Sequence, residues 1–389
     1  WIGSALGIRD VRTLVVIATL PSIIATAIST ALVHALALRW TADLRVARAA
    51  ALLFAVHWLP FGFASTAYPR AISTACVLLA VHLLVNTTSP VAAAAAGALC
   101  GLAFADRFSE IVFLIPLLIV ARRRTLVVVA AFVFAVALFV GFYDVVTWGE
   151  WFGSIRKFGA LTLVEADFAS RLKHQSVVWY LLMLPRWFSP ALLPFAWLAR
   201  RSRPAATIAL PFVVVPVALL SLVAHKEMRC LQGVIPFAML IAAIGFGAMR
   251  RRDVAIALLA IGLAWDTYGL RFVTRKSMPA VEAAQILGAD THVQTVVMSQ
   301  LWAYGDRLYF GDRMNVIDVG TPPRNLSGSI RSADAVCLYD SDVTPEIQRT
   351  LHDSGFAASP VVRYSSAREV VVFRRVSSSS SGTSDPARR

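Results

Sequence analysis

Apolar residues fill the first 270 or so positions in blocks too long and too uniform for a surface helix. Ten blocks stand out, at about 11–38, 49–67, 71–85, 91–105, 108–120, 125–143, 178–199, 205–224, 230–249 and 254–270. A helix of ~20 apolar residues spans the hydrocarbon core of a bilayer. The pattern therefore predicts an all-α polytopic membrane protein with about ten transmembrane segments. The third to fifth blocks are short for a span, and Pro185 and Pro190 predict a kink in the seventh.

The pattern changes after about residue 271. "TVVMS", "NVIDVG", "AVCLYD" and "EVVVF" are short β-branched runs bounded by Gly, Asp and Pro, which predicts strands. "TPEIQRTLHDSGF" has a helix start at Thr344 and a stop at Gly355. The expected organisation is a transmembrane domain over 1–275, a small C-terminal α/β domain over 278–376 and a disordered tail over 377–389. No internal repeat is visible.

Composition agrees with the pattern. The 389 residues are 58% hydrophobic and 15% charged, and the mean hydropathy is +0.67. A net charge of +14 would suggest nucleic acid in a soluble chain. Here much of the arginine lies in clusters between apolar blocks, at Arg39, Arg45 and Arg48, at 122–124, at Arg200, Arg201 and Arg203, and at 250–252. If all ten segments cross, these clusters share one side, which the positive-inside rule makes cytoplasmic. The other side then holds Tyr68–Arg70, Asp106–Arg107, the loop 144–177 and everything after 271, so the α/β domain is extracytoplasmic. Nucleic acid is not an expected partner; membrane lipid is. Cys76, Cys100, Cys230 and Cys337 form no CxxC or metal spacing, and no cofactor is implied.

A mixed charge cluster sits in "AHKEMRC", between two apolar blocks on the non-cytoplasmic side. His225, Lys226 and Arg229 offer cationic donors, and Glu227 can orient one of them. Such a turn suits a phosphate beside the bilayer, because arginine forks onto phosphate oxygens and lysine adds charge. Arg107 in "FADRFSEIVF" is a candidate second contact; the plain alternative is an Asp106–Arg107 ion pair at a turn. Arg70 in "AYPRA" is a third, and its plain alternative is a snorkelling helix end. The loop 144–177 opens on Asp144 and carries Trp148, Trp151 and Phe152 as an interfacial aromatic group. The C-terminal carboxylates Asp306, Asp312, Asp318, Asp340 and Asp342 read as surface groups, and Asn325-Leu326-Ser327 is a sequon.

At "AHKEMRCLQGVIPFAML" the chain resembles glycosyltransferase family 22, the polytopic mannosyltransferases of GPI-anchor and N-glycan assembly, which carry an HKExRF-type motif. His225, Lys226, Glu227 and Arg229 match it, and Cys230 stands where the family usually has Phe. "AYPRAISTACVLLAV" is similar to the family's TRTLSN-type helix start through Arg70. "GLAFADRFSEIVFLIPLLI" is similar to its xFRPT segment through Arg107, with Phe108 replacing Pro. "YDVVTWGEWFGSIRKF" is similar to its D-x-x-x-(F/Y)-G-x-W loop through Asp144, Gly149 and Trp151, with one extra residue before the Gly.

The resemblance implies a GT-C fold. It also implies transfer of mannose from a polyprenyl phosphate donor, such as dolichyl phosphate mannose, to a lipid-linked glycan or GPI-type acceptor on the lumenal or extracytoplasmic face. His225, Lys226, Glu227, Arg229, Arg107 and Arg70 would hold the donor phosphate. The family's catalytic carboxylate lies in a first lumenal loop, before the region matching residue 10. The expectation is therefore an N-terminally truncated or inactive chain, and the start at Trp1 favours truncation. Asp106 and Asp144 are the substitutes for a base. The membrane would be the ER in a eukaryote and the plasma membrane in a bacterium. The alternative is a polytopic lipid or solute transporter, which should show matched halves with broken helices; no such symmetry is visible.

Overall fold

A computed structural model of the chain describes residues 7, 11–64, 70–160, 175–202, 204–223, 226–299, 310, 313–320, 322–359 and 369–376. His225, Tyr68, Pro69, Asp306, Asp312 and the tail 377–389 lie outside the described residues. The chain divides into two compact units, Trp1–Leu270 and Arg271–Arg389.

The first unit is helical. Val11–Thr41 packs on Leu44–Val56 and on Arg70–Asn86, which in turn packs on Pro90–Asp106. Among the described residues, three helical stretches are long and apolar enough to cross a membrane: Thr13–Thr41, Phe108–Trp148 and Arg252–Arg271. Leu44–Val56 and Trp58–Ala64, bent by 58° at His57, pass that test as a pair. Five of the ten expected segments persist as shorter apolar helices: Arg70–Asn86, Pro90–Asp106, Pro190–Ala199, Thr207–Leu222 and Ile235–Ala248. Local signals set their ends. The Asp43 carboxylate accepts from the Arg45 N–H at the start of Leu44–Val56, and the Ser89 hydroxyl caps Pro90–Asp106.

Arg124 does more than mark a side of the membrane. Its guanidinium donates to the Thr87 and Leu84 carbonyls at 2.6 and 2.9 Å, at the C-terminal end of Arg70–Asn86. Those carbonyls have no partner within the helix, and a cation is favourable there.

Small residues set the helix spacing. A Cβ on Gly97 would lie 2.2 Å from the Val128 carbonyl oxygen, and one on Gly101 would lie 2.7 Å from Ala135 Cβ. Pro90–Asp106 and Thr125–Val136 thus approach backbone to side chain along a glycine pair spaced by four, as small-residue membrane interfaces do. At Gly245 an added Cβ would meet the Phe195 carbonyl oxygen at 1.8 Å, which closes Ile235–Ala248 onto Leu193–Ala199. Every residue from Leu231 to Phe246 is buried, so the helix that follows the basic turn is central to this unit.

The second unit carries a five-stranded sheet in the order β2-β1-β3-β5-β4. β1 is Thr295–Met298, β2 Asn315–Asp318, β3 Ala335–Tyr339, β4 Phe356–Ser359 and β5 Val370–Arg375. β1 pairs in parallel with β2 and β3, and β5 pairs antiparallel with β3 and β4. All four expected runs form strands. β4, "FAAS", gave no signal because it is half alanine and mostly exposed. The helix Pro345–Asp353 starts on the Thr344 hydroxyl and ends before Gly355, whose φ of +82° suits glycine. Asp342, expected at the surface, is instead buried, with the Ser299 hydroxyl 3.4 Å away.

Gly97→Val should loosen the first unit. Overpacking a tight contact costs ~1–3 kcal/mol, so the melting temperature of the detergent-solubilised protein should fall. Ala98→Val on the same helix, off the glycine pair, should leave it nearly unchanged.

Candidate active site

The basic turn begins where the helix Pro211–Leu222 ends at Val223. Glu227 is extended, with φ −137° and ψ 145°, and a 3₁₀ turn follows over Met228–Leu231. Pro236 stands in the first turn of the next helix, where a missing N–H costs nothing. The Glu227 carbonyl accepts from the Cys230 N–H at 3.0 Å and from the Tyr180 hydroxyl at 3.2 Å. The turn is thereby tied to the Trp179–Leu182 helix.

Three arginines from three parts of the chain converge on this turn. The Arg229 guanidinium forks onto the Glu227 carboxylate, through Nε to Oε2 and through Nη2 to Oε1 at 2.7 Å. Arg70, the first residue of Arg70–Asn86, brings Nη2 to 4.0 Å from Glu227 Oε2. Arg107 Nη2 donates to Cys230 Sγ at 3.3 Å. Arg70, Arg107 and Arg229 are close enough for Arg70 to feel the positive charge of the other two.

The ion pair expected between Asp106 and Arg107 gives way to Arg107 with Glu110, at 3.3 Å between Nη1 and Oε1. The cause is local. Arg107 is extended, with φ −161°, between the helix Pro90–Asp106 and the 3₁₀ turn Phe108–Phe113. One turn of 3₁₀ geometry brings residues three apart onto one side. Glu110 is 3% exposed, and its Oε2 lies 3.3 Å from where a Cβ on Gly233 would stand. The same Cβ would collide with the Phe113 ring at 2.7 Å, so the turn needs glycine there to approach Glu110.

Arg70 is only 6% exposed, yet its Nε and Nη1 have no hydrogen-bond partner among the described residues. The other groups are better occupied. Lys226 is buried, and its ammonium donates to the Val223 and Gln175 carbonyls at 2.6 and 3.0 Å. Burial lowers its pKa from the ordinary lysine value. Lys226 therefore braces the backbone of the turn. Asp144 is buried, and its Oδ2 accepts from the Ser154 N–H and hydroxyl at 2.8 and 2.6 Å, which ties the Tyr143–Trp148 helix to Gly153–Gly159. Asp106 faces the Ser73 N–H and lies near Glu110 and Arg107, with Oδ2 buried and unpartnered. Of the two carboxylates considered as bases, Asp106 is the one beside the arginines. Among the described residues no cluster of His, Cys, Asp and Glu could hold a metal.

A converging set of arginines on a helical membrane scaffold narrows the class of protein, and comparison decides it. The model of the Alg9-like mannosyltransferase family matches residues 9–279, well over half of the chain. The chain belongs to that family. The fold is shared with a GT-C enzyme, ArnT from Cupriavidus metallidurans. Its structure bound to undecaprenyl phosphate superposes with TM-score 0.59 at 14% identity, covering 93% of this chain and 84% of that one. The apo structure of ArnT gives 0.58 at 15% identity, covering 92% and 83%. No curated protein sequence matches the chain. This Alg9-like protein is therefore a membrane glycosyltransferase with a GT-C fold and a small C-terminal sheet unit. The transporter alternative falls with that finding.

Glu110 and Tyr180 were the signals that sequence reading missed. Neither was singled out from the sequence: Tyr180 meets Glu227 only through the fold, and Glu110 meets Arg107 only because the chain breaks into a 3₁₀ turn there.

Removing one partner of a buried ion pair costs up to ~3–5 kcal/mol, and Arg107, 17% exposed, would keep most of its side chain out of water without Glu110. Glu110→Ala should therefore lower the melting temperature of the solubilised protein markedly. Glu150→Ala removes a partner from the exposed Arg156–Glu150 pair. That pair should contribute at most ~1 kcal/mol, and its loss should be nearly silent in the same measurement.

Proposed function

We propose that this glycosyltransferase moves mannose from a polyprenyl phosphate mannose, such as dolichyl phosphate mannose, to a lipid-linked glycan or GPI-type acceptor on the non-cytoplasmic face of its membrane. That membrane is the ER in a eukaryote and the plasma membrane in a bacterium. The observation that carries the reading is Arg70. A buried guanidinium with two nitrogens lacking partners is costly by itself. A phosphate supplies several acceptor oxygens and the opposite charge, and arginine engages it bidentately. Membership of a mannosyltransferase family supports the sugar. The undecaprenyl phosphate bound by the similarly folded ArnT supports a lipid phosphate.

Each group has a part in this reading. In the transfer, the acceptor hydroxyl oxygen attacks the anomeric carbon of mannose. The bond from that carbon to the phosphate oxygen breaks, and the lipid phosphate leaves with the electron pair. Arg70, Arg107 and Arg229 stabilise the charge that grows on the leaving phosphate, which preorganised donors do most effectively. Glu227 spaces Arg229 and Arg70 before the donor arrives. Asp106 takes the hydroxyl proton as general base. Lys226 acts through the backbone of the turn, and His225 is assigned to the donor phosphate by the motif resemblance.

The experiment is transfer of labelled mannose from dolichyl phosphate mannose to lipid-linked acceptors by the full chain in membranes. Arg70→Gln and Arg229→Ala should each reduce the rate by at least ~100-fold, in line with loss of one charge-stabilising donor. Both variants should insert normally. Lys226→Met should lower thermal stability as well as transfer. Undiminished transfer by both arginine variants would reject the phosphate assignment.

A further inference from the structure

Cys230 differs from the other three cysteines in its surroundings. Cys76, Cys100 and Cys337 are buried, whereas Cys230 is only partly buried, in the 3₁₀ turn of the basic motif. Arg107 Nη2 lies 3.3 Å from its sulfur. The Arg70 guanidinium and the Tyr180 hydroxyl are also within reach of that sulfur. Arg70 keeps two buried nitrogens without partners beside it. Reactive cysteines occupy electropositive, partly exposed sites, while fully buried ones are inert.

We propose that Cys230 is a thiol-modification site within the arginine cluster, and that a low-molecular-weight disulfide is its reagent. The Cys230 sulfur, having released its proton to solvent, attacks one sulfur of the disulfide. A new S–S bond forms, the old one breaks, and the departing thiolate takes up a proton. The exchange needs no other oxidant, and a free thiol reverses it. The added group occupies the sulfur that Arg107 contacts, so it closes the cluster to an anion. This last part rests on the phosphate reading above; the modification itself does not.

The test treats the full solubilised chain with methyl methanethiosulfonate and follows each cysteine by peptide mass. Cys230 should react at least ~10-fold faster than Cys76, Cys100 and Cys337, as exposure and adjacent cations require. Arg107→Gln should slow that reaction. The modified protein should bind undecaprenyl phosphate several-fold more weakly, and dithiothreitol should restore binding. In Cys230→Ser the reagent should not change the affinity. Reaction at Cys230 no faster than at the buried cysteines would overturn the proposal, and so would undiminished binding after full modification. If the unmodified protein binds no undecaprenyl phosphate, the donor reading fails. Selective modification slowed by Arg107→Gln would still uphold the thiol site.

Discussion

Glu227 holds two guanidiniums at once, and the arrangement of the basic site follows from that. Three arginines drawn from distant segments repel one another, and next to a bilayer little water screens them. One carboxylate fixes Arg229 by a fork and keeps Arg70 at 4.0 Å. A second, Glu110, holds Arg107. The site is thus pre-assembled with cations in place and with donors of Arg70 left over.

The turn that carries Glu227 is held by a chain of hydrogen bonds running through the first unit. The carbonyls of Pro185, Arg186 and Trp187 are taken in succession by Trp265 Nε1, Trp58 Nε1 and His57 Nε2, at 2.8, 2.7 and 3.1 Å. The Leu59 N–H donates to His57 Nδ1, so Nε2 carries the ring proton and is the donor to Trp187. The Trp187 indole donates to the Tyr180 carbonyl, and the Tyr180 hydroxyl reaches Glu227. Backbone freed from helical pairing needs partners in a low-dielectric interior. Aromatic N–H groups supply them here and, in doing so, join the kink at His57 to the site.

Glycines determine how closely this scaffold closes. Without side chains at Gly97, Gly101 and Gly245, helices approach to distances that any Cβ would prevent. Gly233 does the same inside the site, where it admits Phe113 and Glu110. The expected Asp106–Arg107 pair was displaced for a related reason. The chain breaks at Arg107 into a 3₁₀ turn, and that geometry favours Glu110.

Much of the class of this protein was legible in its residues. Apolar blocks without amphipathic spacing, the four β-branched runs and the charged motif at 226–229 each report a local property, and local properties survive in one dimension. The family followed from the same motif. The tertiary structure decided which charges meet. Arg70 and Glu227 are separated by more than 150 positions, and no periodicity links them. It also separated Lys226, which braces the backbone, from Arg229, which faces a carboxylate two residues away. Sequence spacing gives the side chains available to a turn. Which ones are spent on carbonyls, and which remain for a ligand, depends on what the rest of the chain packs around them.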